Sequence, residues 1–244
     1  MALEAAIQIE LNEWLEREEV KWHKKSRELW LKEGDRNSKF FHLSTVVRRR
    51  KNQIVEIQLE NGNWIHSRNE IADYFTQKNF SVFQSSNPHI PADLERLIDP
   101  SITEAENDLL SRIPEVDEIK KVVWEMNSHK ASGPDGFPSL FFKKYWDAVE
   151  SQVISIVQSF FREGWLLRQM NHTFITLIPK RQGACNFNHF RPISLCNFYY
   201  KIISKILVMR LRQILPKLID PAQAAFVPER WIAENVVLAQ EVVH

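Results

Sequence analysis

The sequence predicts an α+β fold that is mostly helical. Over the first 31 residues, apolar side chains recur at i, i+4 spacing, which is the period of an amphipathic helix. Residues 173–179 (TFITLIP) are apolar and β-branched, as in a strand. The pair Asn61-Gly62 is a strong hairpin signal, so a few short strands accompany the helices.

Two helices are predicted at the start of the chain. The first, residues 3–31, carries one apolar stripe. Its members are Leu3, Ile7, Leu11 and Leu15, extended by Trp14, Trp22 and Trp30. Gly34-Asp35 then breaks the helix. The second helix, residues 36–50, ends in a basic run. This run is Arg48, Arg49, Arg50 and Lys51.

A hairpin and a third helix complete the first 84 residues. Strands are predicted around 54–59 and 64–66, on either side of Asn61-Gly62. Ser67 and Glu70 have the spacing of a capping box, which predicts a helix running past Phe80. Residues 85–91 (SSNPHIP) are typical of a linker.

The second half of the chain is predicted to open with two capped helices. Thr103 and Glu106 form another capping box. Asp117 is the predicted N-cap of a helix that carries Ile119 and Met126. Residues 129–136 are then expected to be a loop.

The remaining elements follow the same periodicities. The predicted segments are helices at 138–147 and 149–163, with Gly164 closing the second, a strand at 173–179, a basic helix at 197–215 that Pro216 stops, and an apolar helix at about 231–243. The domain prediction is a helical extension over 1–84, a linker over 85–100 and a second domain over 101–244.

Composition excludes several classes of protein. The 244 residues are 44% hydrophobic with a net charge of +1, unlike a disordered chain. No apolar run approaches the roughly 20 residues that cross a bilayer, so no membrane partner is expected. Two cysteines, Cys185 and Cys196, make no disulfide framework, which favours an intracellular protein of the nucleus or cytoplasm.

The charges are unevenly distributed. Residues 21–51 carry 11 bases and three acids, and residues 180–217 carry eight bases and no acid, so each block has a net charge of +8. Residues 1–20 are acidic, with six acids and one base. A polyanion partner is the simplest functional explanation of the basic blocks, and solvated helix faces are the structural alternative.

Five uncommon motifs occur together in a fixed order. They are residues 25–42 (KSRELWLKEGDRNSKFFH), 130–138 (KASGPDGFP), 176–180 (TLIPK), 190–207 (FRPISLCN, then YKIISKIL) and 223–230 (QAAFVPER). This set closely resembles the reverse transcriptase of plant LINE-type (non-LTR) retrotransposons, over almost the whole chain. Three positions depart from the usual pattern, namely Ala224, His189 and Glu229. Glu229 stands where glycine is usual, so its turn is expected to be altered.

The resemblance implies part of a right-hand polymerase fold, namely the N-terminal extension, the fingers and the start of the palm. It implies that Lys180 and Arg191 contact the triphosphate of an incoming nucleotide, a role that suits a point charge and a bidentate fork. RNA template and DNA primer are the implied partners. The nucleic-acid contacts implied are Arg48, Arg49, Arg50, Lys51, Gly133, Pro134, Asp135, Gly136, Lys201 and Lys205.

The catalytic carboxylates of that family are missing from the sequence. Polymerase chemistry uses two divalent metals held by carboxylates, and reverse transcriptases supply an Asp-Asp pair for them. No Asp-Asp dipeptide occurs in the 244 residues. The sequence therefore predicts no metal site, with Mg²⁺ or Mn²⁺ expected only in a longer enzyme, and no polymerisation by this chain alone.

Two other functions are compatible with the same sequence. The chain could be a non-catalytic RNA- or DNA-binding module, or a translated remnant without function. Asp135 is better explained by a Pro-Asp-Gly turn than by catalysis. Without a palm, apolar residues of 174–178 and 231–243 would be exposed, and another protein could cover them.

Overall fold

A computed structural model of the chain describes residues 2–26, 38–85, 87, 101–220, 222–225, 227–231, 233, 237, 240 and 241. Its helices are α1 (Ala2–Ser26), α2 (Ser38–Lys51), α3 (Arg68–Phe83), α4 (Glu104–Ser111), α5 (Val116–Glu125), α6 (Ser139–Lys144), α7 (Trp146–Glu163) and α8 (Phe198–Leu218). Its strands are β1 (Ile57–Gln58), β2 (Trp64–Ile65), β3 (Thr173–Pro179) and β4 (Phe190–Cys196). The predicted mixture of many helices and few strands is confirmed.

The chain forms two compact units. Unit 1 comprises Met1–Ser86 and Ile175–Ile193, and unit 2 comprises Asn87–Phe174 and Ser194–His244. Strands β3 and β4 are hydrogen-bonded neighbours, and each is divided between the two units. The break at Gly34-Asp35, nearly all of the predicted linker and most of the predicted last helix lie outside the described residues.

Unit 1 has a small core beneath a hairpin. Strands β1 and β2 are antiparallel, with Ile57 opposite Ile65. Gly62 closes their turn with a φ of +86°, a conformation that suits glycine. Ile57, Ile71, Phe75 and Phe190 are buried together, so α3 packs on the hairpin and on the first residue of β4.

Helix α1 contributes little to that core. Trp22 contacts the ring of His42 in α2, with 4.5 Å between ring centroids. The predicted apolar stripe is nevertheless exposed, because Leu3, Ile7 and Leu11 all face solvent. The helix was predicted correctly as far as Ser26, but its apolar face is not buried within the described chain.

Unit 2 has the larger core, built from the apolar faces of α5, α6, α7 and α8. Phe142 stacks on Phe198 with 3.6 Å between ring centroids. The buried members of this cluster are Ile119, Val122, Val123, Phe142, Trp146, Val153, Val157, Phe198, Ile202, Ile203 and Ile206. This core holds the start of α8 against the loop that precedes α6.

The helix ends follow the sequence in part. The Thr103–Glu106 capping box is present, and Gly164 ends α7 with a φ of +75°. The other two caps differ from the prediction. Ser67 is the N-cap residue of α3, as predicted, but its side chain accepts no capping hydrogen bond. Helix α5 begins two residues earlier than an Asp117 cap requires, with Glu115 as its N-cap, so Asp117 lies in its first turn.

Two further differences concern the end of the chain. Strand β4 was not predicted, since Arg191, Pro192 and Ser194 interrupt its apolar pattern. Helix α8 continues through Pro216 to Leu218. The proline removes only the N–H that would bond the carbonyl of Arg212, one turn before it. The carbonyl of Pro216 itself, which lies in the last turn, accepts a hydrogen bond from Arg230.

Candidate functional site

The basic end of α2 presents its cations to solvent. Arg49, Arg50 and Lys51 are exposed, and Arg48 is half-buried. All four lie in the last turn, where cations interact favourably with the helix dipole. The structure therefore places the first predicted nucleic-acid contact on an accessible surface of unit 1.

Lys180 and Arg191 lie at the same end of the β3–β4 pair. The Lys180 N–H donates to the carbonyl of His189 at 2.8 Å. The Lys180 ammonium donates to the carbonyl of Asn188, also at 2.8 Å. Arg191, two residues beyond His189, is exposed. Both residues of the predicted triphosphate site thus belong to unit 1, with Arg191 accessible and Lys180 held by a backbone carbonyl.

His189 organises the connection between these strands. Its Nδ1 accepts hydrogen bonds from the backbone N–H groups of Asn186 (3.2 Å) and Cys185 (3.3 Å). Burial lowers the pKa of His189, and the nearby Arg181 and Lys180 lower it further. A neutral imidazole adds no charge where the resemblance would place an acid, so this end of the strands keeps its cationic character.

The loop at 133–136 packs closely on its own chain. A Cβ on Gly133 would lie 2.4 Å from the carbonyl carbon of Cys196 and 2.6 Å from the nitrogen of Asn197, so only glycine fits. Gly136 has open space around it but a φ of +74°, which also favours glycine. The two glycines thus have structural explanations whether or not the loop contacts nucleic acid.

Asp135 and Asn197 join this loop to α8. The Asp135 N–H donates to Asn197 Oδ1 at 3.0 Å. The Asp135 carboxylate accepts from the N–H groups of Phe137 (3.3 Å) and Phe198 (2.8 Å). Asn197 is buried, and its Nδ2 donates to the carbonyl groups of Gln169 and Met170. Asp135 therefore forms a turn and also caps the start of α8.

Lys201 and Lys205 have different environments on α8. The Lys201 ammonium donates to the carbonyl of Ala131 at 2.8 Å, which fixes the loop before Gly133. Lys205 is half-buried and lines a cavity of about 500 Å³ that Arg212 and Glu229 also line. Lys201 and the loop 133–136 are brought together in unit 2, whereas Lys205 faces a separate cavity of that unit.

The most buried cation of α8 serves the fold. Arg210 donates from Nε and Nη2 to the two oxygens of Glu118, each at 2.9 Å. Its Nη1 donates to the carbonyl groups of Leu110 and Arg112, at 3.0 and 2.6 Å. These bonds to Arg210 are the main cause of the lowered pKa of Glu118. One guanidinium thus ties α8 to the end of α4 and the start of α5.

Arg230 performs a similar task at the other end of α8. Its guanidinium donates to four carbonyl groups, those of Pro216, Ile219, Asp220 and Gln223, at 2.6–3.1 Å. Glu229, the preceding residue, has a φ of +64°. Glu229 thus adopts the left-handed conformation that glycine favours, and its backbone gives no sign of the altered turn that was expected.

The described residues contain no group of three His, Cys, Asp or Glu side chains that could hold a metal ion. They therefore do not fit the two-metal site that the resemblance implies for a complete polymerase. No helix among them is long and apolar enough to cross a membrane.

Two known proteins are similar to this chain. One is the "Transposon TX1 uncharacterized 149 kDa protein" of Xenopus laevis, 28% identical over 222 residues, which are 90% of this chain and 17% of that protein. The other is the "Retrovirus-related Pol polyprotein from type-1 retrotransposable element R2" of Nasonia vitripennis, 30% identical over 122 residues. These relatives are proteins of transposable elements. The second match covers 50% of this chain and 11% of that protein.

No protein-family model matches the chain. The two relatives confirm the resemblance at the level of a retrotransposon protein related to reverse transcriptases. The chain spans less than a fifth of the length of either relative.

Sequence reasoning missed several residues around these sites. Asn197 lies in the motif at 190–207, but the partners of its side-chain amide come from segments distant in sequence. Arg210 left a clearer signal, since a lone arginine lies one turn after Ile206 and one turn before Ile214 on the buried side of α8. A charged residue in such a position has a buried partner in most proteins.

Proposed function

We propose that the chain is the N-terminal extension and fingers portion of a reverse transcriptase, an RNA-directed DNA polymerase of a LINE-type retrotransposon, with a plant element as its source. The observation that carries this proposal is the ordered set of five motifs together with a relative that is by name a Pol polyprotein of a retrotransposable element. The work of such a region is to bind nucleic acid and nucleotide.

The triphosphate site of this proposal consists of Lys180 and Arg191. Arg191 is exposed and presents a rigid fork to phosphate oxygens, while Lys180 supplies a point charge beside it. The ammonium of Lys180 would exchange the carbonyl of Asn188 for a phosphate oxygen when the nucleotide binds. His189 favours this exchange because it is neutral, whereas a carboxylate at this position would compete with the phosphate for the Lys180 ammonium.

The nucleic-acid surface of this proposal begins at Arg48–Lys51. Three exposed cations in one helical turn suit a phosphate backbone, whose contacts carry affinity without sequence preference. In unit 2, residues Gly133–Gly136 and the lysines Lys201 and Lys205 complete the proposed contacts. Exposed apolar residues such as Phe174 and Trp231 suit a further protein partner.

Catalysis is not part of the proposed function of this chain. Nucleotide addition uses two metal ions held by carboxylates. The sequence has no Asp-Asp pair, and the described residues have no cluster of metal ligands. Any Mg²⁺ or Mn²⁺ would be held by residues other than those described here, and no step of the proposal uses a metal bound by this chain.

Equilibrium binding to a fluorescent RNA–DNA primer–template tests the proposal. We expect binding that weakens steeply with salt, because counterions are released from the phosphates. A deoxynucleoside triphosphate should protect Lys180 from amine acylation, and Arg191→Ala should abolish that protection. Lys121→Ala, at an exposed lysine of α5, is the matched control.

Each result separates the candidate functions. Salt-dependent binding without protection of Lys180 would favour the non-catalytic binding module. A broad melting transition with no binding would favour the remnant. Primer extension on the same template should give no product with Mg²⁺ or Mn²⁺, and extension that Lys180→Ala abolishes would contradict the inactivity of this chain.

A further inference from the structure

Unit 1 contains an open groove of about 1280 Å³ that the sequence did not predict, although Arg49 and Leu177 of its lining belong to segments marked in the sequence. Ile71, Phe75 and Leu177 supply part of its apolar lining. Phe80 is 70% exposed and also lines the groove. Among the described residues that line it, the charged ones are Arg49 and Arg68, and none is a carboxylate. The groove therefore suits an amphipathic segment with negative charge.

The first half of α1 is such a segment. Leu3 is 76% exposed, Ile7 58% and Leu11 46%, although they follow one another along one face. Glu4 lies seven residues before Leu11, and Glu10 three residues after Ile7, so acids lie on the same side as the apolar stripe. Residues 1–20 carry six acids and one base.

We propose that the first half of α1 docks in this groove of a second copy of the chain. An apolar helix face laid in an apolar groove is a common mode of peptide recognition. The acids of α1 would meet Arg49 and Arg68, so the charges of helix and groove are complementary. This inference goes beyond the proposed function and does not rest on it.

We expect the pairing to close as a dimer. Helix and groove both belong to unit 1, so two copies related by a two-fold axis would make the contact twice and leave no helix or groove open. Residues 3–15 form a rod about 20 Å long, at about 1.5 Å per residue. Within one copy, none of the described residues that line the groove belongs to α1.

A second copy fits the groove better than nucleic acid does. A single strand would need a continuous row of cations for its phosphates, and the groove has two arginines above an apolar floor. Docking of α1 would also cover the apolar stripe that the described chain leaves in solvent. One contact would thus bury two exposed apolar surfaces, the stripe of α1 and the lining of the groove.

Sedimentation equilibrium of the full chain over a range of concentrations tests the proposal. We expect a monomer–dimer equilibrium whose dissociation constant rises about tenfold or more in the double variant Ile7→Asp, Leu11→Asp. Leu43→Asp is the matched control, at an exposed leucine of α2 that does not line the groove, and it should leave the equilibrium unchanged.

A charge exchange gives the sharper result. Arg49→Glu with Arg68→Glu should weaken self-association, and so should Glu4→Arg with Glu10→Arg. A mixture of these two variants should form a heterodimer, because one of its two contacts keeps the parent charges and the other has both charges reversed, whereas each variant alone pairs like charges in both contacts.

Several outcomes would overturn the proposal. They are a monomer at every concentration, cross-links between α1 and the groove that form only within one chain, and unchanged self-association in the arginine variants. Loss of binding to a single-stranded oligonucleotide in Arg68→Glu alone, at the groove arginine outside Arg48–Lys51, without any change in self-association, would instead assign the groove to nucleic acid.

Discussion

The two basic blocks of the sequence have the same net charge, but more cations of the second block than of the end of the first donate to groups of the chain itself. Residues 21–51 and 180–217 each carry +8. In the second block, Lys201, Arg210 and Lys217 all donate to groups of the chain itself. At the end of the first block, Arg49, Arg50 and Lys51 stand in solvent.

The difference teaches that charge counted along a sequence is not charge available to a partner. Arg210 is only 5% exposed and is bound to Glu118 through two hydrogen bonds. An ion pair of this kind is closed to a phosphate, because breaking it would leave a carboxylate without its partner. In the block 180–217, Arg191 is exposed and, among the described residues, has no ion-pair partner.

The largest predicted effect concerns Arg210. Arg210→Met should lower the free energy of unfolding by about 3 kcal/mol, because two carbonyl groups lose this donor and Glu118 keeps only the more distant Arg112, at 3.7 Å, as its cation. Arg212→Met, at an exposed arginine of the same helix, should change it by less than about 0.5 kcal/mol. Urea denaturation measures the stability of both variants. Equal losses of stability would contradict the distinction between the buried Arg210 and the exposed Arg212.

The second-largest predicted effect on the free energy of unfolding concerns Arg230. Arg230→Ala removes four hydrogen bonds to carbonyl groups at the end of α8 and should lower the free energy of unfolding by about 2 kcal/mol. Arg230→Lys should recover only part of this loss, since an ammonium does not reproduce the planar fork. Full recovery would show that charge near the helix end, rather than the four bonds, is what stabilises it.

The exposed cations at the end of the block 21–51 should matter for nucleic-acid binding and little for stability. Replacing Arg50 and Lys51 by alanine should leave the unfolding free energy within about 0.5 kcal/mol. It should weaken nucleic-acid binding about tenfold, and the slope of log K against log salt should fall by about 1.5. The control is the double variant Lys121→Ala, Arg162→Ala. An equal loss of nucleic-acid affinity in both double variants would mean that binding depends on total charge and not on a site at Arg50 and Lys51.

A smaller effect, of opposite sign, is expected at Glu229. Glu229→Gly should raise the free energy of unfolding by up to about 1 kcal/mol, because glycine adopts a φ of +64° without a Cβ penalty. Glu229→Ala keeps the Cβ and should bring no gain. Thermal melting of the two variants separates backbone strain from the loss of the charge.

The smallest effect is a dependence on pH. The hydrogen bond from Lys217, assisted by Thr103, lowers the pKa of Glu106 to about 2. The folded state therefore binds fewer protons, so this contribution to stability is complete above a pH of about 4.5 and is lost as the pH falls toward 2. In Glu106→Gln, urea midpoints between pH 5 and 2.5 should fall less steeply than in the parent chain.

Local signals predicted much of the fold. The capping box at Thr103, the turn at Gly62 and the left-handed end of α7 at Gly164 depend on neighbouring residues, and all three are present. Ser67 and Asp117 show the limit of such signals, because several residues near a helix start can compete for the cap.

The sequence also selected the motifs of the candidate site, but not their environments. It identified the loop at 133–136 and marked Glu229 as unusual for its turn. It could not show that Gly133 approaches the backbone of Cys196, because that contact joins segments far apart in the chain.

By itself, the sequence determined the order of the helices, the positions of the main turns and the relation to retrotransposon proteins, since these depend on local periodicity and on motifs. Only the tertiary structure decided which charges remain accessible and that residues 175–193 join the unit of Ile57 and Phe75. The physical reason is that an ion pair such as Arg210–Glu118 depends on distance in space, which no spacing along the chain encodes.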